Sequence, residues 1–169
     1  MKKLLFALLV ILLVFGCVQQ VKQEDLKIQK VYDVPGFKKD HIYSQTKIWI
    51  AENFKSAKAV IEHDDKDSGV LIGNGIIPYP CKGMECIAKG DWKVPFKMRV
   101  DVKDNKFRLT FTNLMLSIPS SYNSTFGYQK GSDNPIWQQS DLDAIKPVLL
   151  GFGGQITASL SGATKDKDW

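Results

Sequence analysis

The stretch WKVPFKMRVDV, residues 92–102, constrains this chain more than any other. Trp92, Val94, Phe96, Met98, Val100 and Val102 are apolar, and Lys93, Pro95, Lys97, Arg99 and Asp101 lie between them. Side chains alternate faces along a strand, so a period of two gives one buried and one wet face. The polar KDNK then turns the chain, and Phe107, Leu109 and Phe111 resume the alternation. With Asp104 and Asn105 as a two-residue turn, the hairpin register follows. Val102 stands opposite Phe107, Val100 opposite Leu109 and Met98 opposite Phe111, while Asp101 meets Arg108 on the wet face. Pro95 has no N–H, so it belongs where the ladder uses none, on an edge or at a bulge.

The rest of the chain supplies partners for this hairpin. In LKIQKVYDV, Leu26, Ile28, Tyr32 and Val34 alternate, with Lys30 as the exception, and read as a half-buried strand. PGFKK breaks it. Ile42, Tyr43, Trp49, Ile50 and Phe54 then recur at helical spacing, bridged by Thr46, with Asp40 in the first turn where the helix dipole favours a negative charge. AKAVIEH and GVLIGNGII read as two strands joined by the polar turn DDKDSG, and the glycines of the second point to a bulge or a close backbone approach. Residues 117–139, dense in Ser, Asn, Gly and Pro, read as a loop pinned by its own aromatics, Tyr122, Phe126, Tyr128 and Trp137, with a loop that offers them as contact anchors to a partner as the alternative. Leu142, Ile145, Leu149, Phe152, Ile156 and Leu160 restore a helical period. Ser140 is its expected cap, Pro147 an expected kink, and Gly151, Gly153 and Gly154 its points of close approach to the sheet. There is no internal repeat and no second domain. The order β-α-β-β-β-β-α gives an α+β fold, an antiparallel sheet of about five strands with the helices on one face.

This order, and particular residues within it, resemble a bacterial family of unassigned function whose fold is like that of the TATA-binding protein. The resemblance rests on Val34, Pro35 and Gly36; on Lys39, Asp40 and Tyr43 at the helix start; on Trp49 and then Asn53 and Phe54; and on Gly73 and Gly75 after an acidic turn. It spans about residues 30–77 and is loose beyond them. It implies a curved antiparallel sheet gripping a helix. It implies no catalytic residues, and the fold name implies no DNA binding, because a fold does not fix a function.

The amino terminus carries the strongest indication of where the chain resides. Lys2 and Lys3 precede an unbroken apolar run from Leu4 to Phe15, followed by Gly16 and Cys17. A membrane-spanning helix needs about 20 apolar residues, so this run is short for a span and fits a secretory signal. VFGC resembles the lipobox of bacterial lipoproteins. That resemblance implies a diacylglyceryl group on the Cys17 thiol, cleavage after Gly16 and acylation of the new amino group. Two or more acyl chains make a stable anchor, since each buried methylene contributes about 0.8 kcal/mol. Residues 1–16 are then a signal peptide, 17–25 a flexible polar tether, 26–163 the single domain and 164–169 a polar tail. Val18, rather than Asp, after the cysteine favours the outer membrane, facing the periplasm.

Charge and cysteines narrow the function further. Loss of Lys2 and Lys3 would take two from a net charge of +5, too weak a balance for nucleic acid. Cys81 and Cys86 lie in the Pro- and Gly-rich PYPCKGMECIAKG. An exported chain meets an oxidising compartment, so a small-loop disulfide is the leading reading, with free thiols or a metal as alternatives. A zinc site needs about four ligands, and the chain has two histidines, His41 and His63. His63, Asp64, Asp65 and Asp67 read as a solvated turn, because Lys66 and Gly75 stand where a calcium loop needs oxygen ligands. Ser44 lies one helical turn from His41, and GNG lacks the third glycine and following helix of a dinucleotide fingerprint.

No catalytic, cofactor or metal residues are therefore expected. The basic residues Lys93, Lys97, Arg99 and Arg108 form either an ordinary wet sheet face or a surface for lipid head groups or an acidic partner. The expected function is a non-enzymatic, lipid-anchored envelope domain that meets the membrane through Cys17 and binds an envelope protein or cell-wall partner. The alternatives are a phage- or plasmid-borne lipoprotein that modifies the host surface, or a periplasmic enzyme.

Overall fold

In the computed structural model, residues 21, 26–54, 61–125 and 127–162 are described. The central hairpin forms as its alternation requires. Strand β4 (Lys93–Lys103) pairs with β5 (Lys106–Thr112), with Val102 against Phe107, Val100 against Leu109, Met98 against Phe111 and Asp101 against Arg108. Asn105 adopts the left-handed conformation (φ 63°) that Asn tolerates better than most residues. β1 (Ile28–Asp33) adds to β5, and β3 (Val70–Pro78) adds to β4 and carries β2 (Ile61–Asp65) at the far edge. The antiparallel order is β1-β5-β4-β3-β2. The part of the second strand expected over residues 57–60 lies outside the described residues.

One face of this sheet is covered. Val94, Phe96, Met98, Val100 and Val102 of β4 are buried, as are Phe107, Leu109 and Phe111 of β5. Helix α1 (Lys39–Asn53) lays Ile42, Tyr43, Thr46 and Trp49 on this layer. The long C-terminal helix contributes Ile145, Leu149, Phe152, Ile156 and Leu160. Phe152 meets Trp49, Phe54, Phe96 and Phe111 with ring centroids 5.3–6.2 Å apart, so both helices and the sheet share one aromatic centre. Gly75 of β3 makes room for it, since a Cβ there would lie 2.5 Å from Phe96. The bulge lies in the partner strand, between Ile61 and His63.

The β4–β5 turn also fixes where α1 begins. Lys38, at the helix start, offers no side-chain cap. Asp104 Oδ1 instead accepts the Lys39 backbone N–H at 2.7 Å, and Asn105 Oδ1 accepts that of Gly36 at 2.8 Å. A carboxylate at a helix N-terminus satisfies a free N–H and opposes the dipole.

Several expectations are corrected. A short helix α2 (Glu85–Lys89) follows β3, and residues 117–139 are largely strand rather than loop. β6 (Met115–Ile118) pairs with β9 (Ser132–Pro135), and between them β7 (Ser121–Asn123) and β8 (Gly127–Gln129) form a separate ribbon. Ser140 is not the cap, because the last helix, α3, already starts at Gln139 and runs through Pro147 to Gly162. The Gln138 carbonyl takes the first turn's N–H groups, from Asp141 and Leu142. Close approach holds only for Gly153, since a Cβ at Gly151 or Gly154 would meet nothing within 4 Å. Pro95 sits inside a central strand, opposite Ile76 of β3. On its other side the β5 pairing ends with Thr112 against Lys97 and the β6 pairing is Ser117 against Lys93, so Pro95 falls in the gap between the two pairings.

Candidate functional site

The register separates two ends of the sheet. At one end lie the turns at Asp65–Gly69 and Asp104–Asn105. At the other, Pro78 of β3, Lys93 of β4 and Ser117 of β6 stand side by side, β1 begins, and α3 starts. The chain's least expected features collect at this second end.

Its centre is the cysteine loop. Cys81 and Cys86 form a disulfide, with Cα atoms 5.1 Å apart. The loop is fastened to α3 by four polar side chains. Asp141, buried in the first turn of α3, accepts the Tyr79 hydroxyl at 2.6 Å and Lys89 Nζ at 2.7 Å on the same oxygen. Lys89 also donates to Glu85 Oε1 at 2.9 Å and to the Tyr79 oxygen at 3.2 Å, which uses its three N–H groups on three acceptors. Its ammonium lies 4.8 Å from the Tyr79 ring centroid and 5.4 Å from that of Trp92.

These contacts fix protonation states. Burial works against the Lys89 charge, but hydrogen bonds to Asp141, Glu85 and Tyr79 outweigh it and raise the pKa above the ordinary lysine value. Burial and the bond to Asp141 raise that of Tyr79. Lys89 is thus held as a cation and Tyr79 as a neutral donor, which suits a clamp and does not suit a nucleophile or a base. The clamp is not evident in the sequence, because Glu85 and Lys89 at i,i+4 look like a surface pair and Asp141 looks like a dipole partner. The one available signal was a Tyr-Pro-Cys segment in which both polar residues of a short helix point the same way.

Around this clamp large apolar side chains stand exposed among the charges of Lys82, Asp91 and Lys93. Met84 and Ile87, carried by the cysteine loop, are 85% and 84% exposed. Trp137, four residues before Asp141, is 62% exposed. Tyr122 and Tyr128 face each other across the β7–β8 ribbon and are 79% and 67% exposed, so these aromatics do not pin their own segment. Phe126 lies outside the described residues. Val21, from the stretch read as a tether, packs against the core and donates its N–H to the Trp137 carbonyl at 2.9 Å. Cys17 lies outside the described residues.

The other candidate residues do not converge. Asp64 accepts Tyr43 and Lys47 from α1 on the covered side of the sheet, whereas Asp65 caps its own turn by accepting the Ser68 N–H at 3.0 Å. His41 stacks on Phe37, with Nε2 3.3 Å from the Leu160 carbonyl. Trp49 is core. On the uncovered face the basic residues are mostly spoken for. Asp101 accepts Arg99 at 2.7–2.9 Å on one oxygen and Arg108 at 2.9–3.1 Å on the other, and Lys97 pairs with Glu62 at 2.7 Å.

Two crystal structures share this architecture. A protein from Bacteroides ovatus ATCC 8483, described as a member of the DUF4468 family, is 15% identical, with a TM-score of 0.52 over 88% of this chain and 91% of its own. A TBP-like protein from Parabacteroides distasonis ATCC 8503 is 12% identical, with a TM-score of 0.53 over 89% and 99%. At such identities the likeness shows the fold. No curated protein matches the sequence. The family model described as a domain of unknown function (DUF4468) with TBP-like fold matches residues 29–116, from β1 into β6. The chain belongs to that family, whose matched region holds the five-stranded sheet, α1 and the cysteine loop, while α3 and the aromatic ribbon lie beyond it.

Proposed function

We propose that this chain is a lipid-anchored envelope protein whose domain has a binding or structural role and no catalysis of its own. The observation that carries the reading is Val14-Phe15-Gly16-Cys17 at the end of the Leu4–Phe15 run behind Lys2 and Lys3. Diacylation of Cys17 would hold the domain at a bilayer with at least two chains. Among the described residues no helix is long and apolar enough to cross a membrane. Val18 after the cysteine favours the outer membrane, with the domain in the periplasm. The Cys81–Cys86 disulfide suits an oxidising compartment. A non-enzymatic role draws support from the clamp, whose lysine and tyrosine are held in their unreactive protonation states.

Intact-mass analysis of protein purified from membranes tests the anchor. The expected species begins at Cys17 and carries diacylglyceryl and acyl mass. A Cys17→Ser chain is expected to lose that mass and its partition into membranes, and a variant that still partitions and matures normally would sink the proposal.

A further inference from the structure

We infer that the cysteine-loop end of the domain rests on the bilayer interface, with Trp137, Ile87 and Met84 as its contact residues. This rests on the proposed acylation of Cys17. The Val21 N–H donates to the Trp137 carbonyl and Val21 packs on the core, so a docked residue lies four positions after Cys17. Four residues span at most about 14 Å when fully extended. An acylated Cys17 would therefore keep Trp137 within about half a hydrocarbon thickness of the lipid glycerol level. A reach that short does not let the domain turn its opposite end to the bilayer. Strand β4 alone carries its opposite end some 35 Å away at a strand's usual rise.

The surface so presented has the chemistry of the interface. Trp favours the head-group level because its ring is apolar and its N–H is polar. Met84 and Ile87 are almost fully exposed large apolar side chains, a placement that gains free energy only when something apolar covers it. They sit on a segment closed by the disulfide and fastened to α3 by Asp141, so little conformational entropy is lost when they dock. Lys82, Asp91 and Lys93 put charges at this end too, but the far turns, with Asp65, Lys66, Asp67, Lys103 and Asp104, add no exposed large apolar side chain to theirs.

The test uses full-length protein purified from membranes and reconstituted into phosphatidylethanolamine vesicles containing phosphatidylcholine brominated near the head of its acyl chain. Intact mass is read on the same sample. The expected result is acyl mass together with tryptophan quenching that is lost in Trp137→Phe, since this substitution changes an exposed side chain and isolates its signal from Trp49, Trp92 and Trp169. Ile87→Glu, with an unchanged circular dichroism spectrum, is expected to weaken the quenching of Trp137. Acyl mass with an unquenched Trp137 overturns the inference alone and leaves this end free for a protein partner. Absence of acyl mass overturns it together with the anchor.

Discussion

A Cβ atom placed on Gly153 would stand 2.0 Å from Cζ of Tyr32. The ring has nowhere to retreat. Its hydroxyl donates to the Leu150 carbonyl at 2.6 Å, and its plane stacks on Phe107 at 5.1 Å. Helix α3 reaches β1 only because this position has no side chain. Gly153→Ala is expected to cost about 1–3 kcal/mol through overpacking. Gly151→Ala, where a Cβ meets nothing within 4 Å, is expected to gain about 0.5–1 kcal/mol of helix propensity. Urea unfolding of the pair checks both signs.

The clamp gives a pH dependence. Lys89 and Tyr79 both have folded pKa values raised above their ordinary values of 10.5 and 10.0. A raised folded pKa gives stability that is complete below the unfolded pKa and lost as pH rises towards the folded one. The native chain is therefore expected to lose stability from about pH 10 upward. Asp141→Asn is expected to cost about 2–3 kcal/mol at neutral pH, because Lys89 then keeps a single carboxylate partner, the half-exposed Glu85. The same variant is expected to flatten the alkaline slope. Thermal unfolding from pH 8 to pH 11 reads both effects.

The Thr46 hydroxyl is fully buried and has no hydrogen-bond partner among the described residues. Thr46→Val keeps the branched shape and removes a stranded polar group. An increase of about 1 kcal/mol is expected, and a decrease would show that the hydroxyl is satisfied in solution.

Opening the Cys81–Cys86 disulfide is expected to cost about 2 kcal/mol, the chain-entropy value for so short a loop. Without reductant neither thiol is expected to label. After reduction Cys86, on the exposed side of α2, is expected to label before the half-buried Cys81.

What the sequence revealed of the fold follows the strength of its periodicities. The β4–β5 register was legible because six alternating apolar residues face three more across a two-residue turn, so a slip by one would invert every side chain. Helix α1 was legible from the Ile42-to-Phe54 stripe. β6 to β9 were not, because strands of three or four residues are too short to carry a period of their own and exist by pairing with each other. The clamp was hidden for a different reason. Asp141 lies 52 residues from Lys89 and 62 from Tyr79, and each looks ordinary in its own segment. Val21 was hidden too, as one apolar residue in a polar run, docked through a backbone bond that no side-chain pattern announces.

The gap at Pro95 leaves the β6–β9 hairpin joined to β4 through a single registered pair, Ser117 with Lys93. A ladder so thin does not transmit the cooperativity of the main sheet. Although Leu116 packs in the core, the hairpin and its ribbon are expected to open before β1 to β5 do. Amide protons of β6 and β9 should exchange with solvent long before those of Val100 and Leu109.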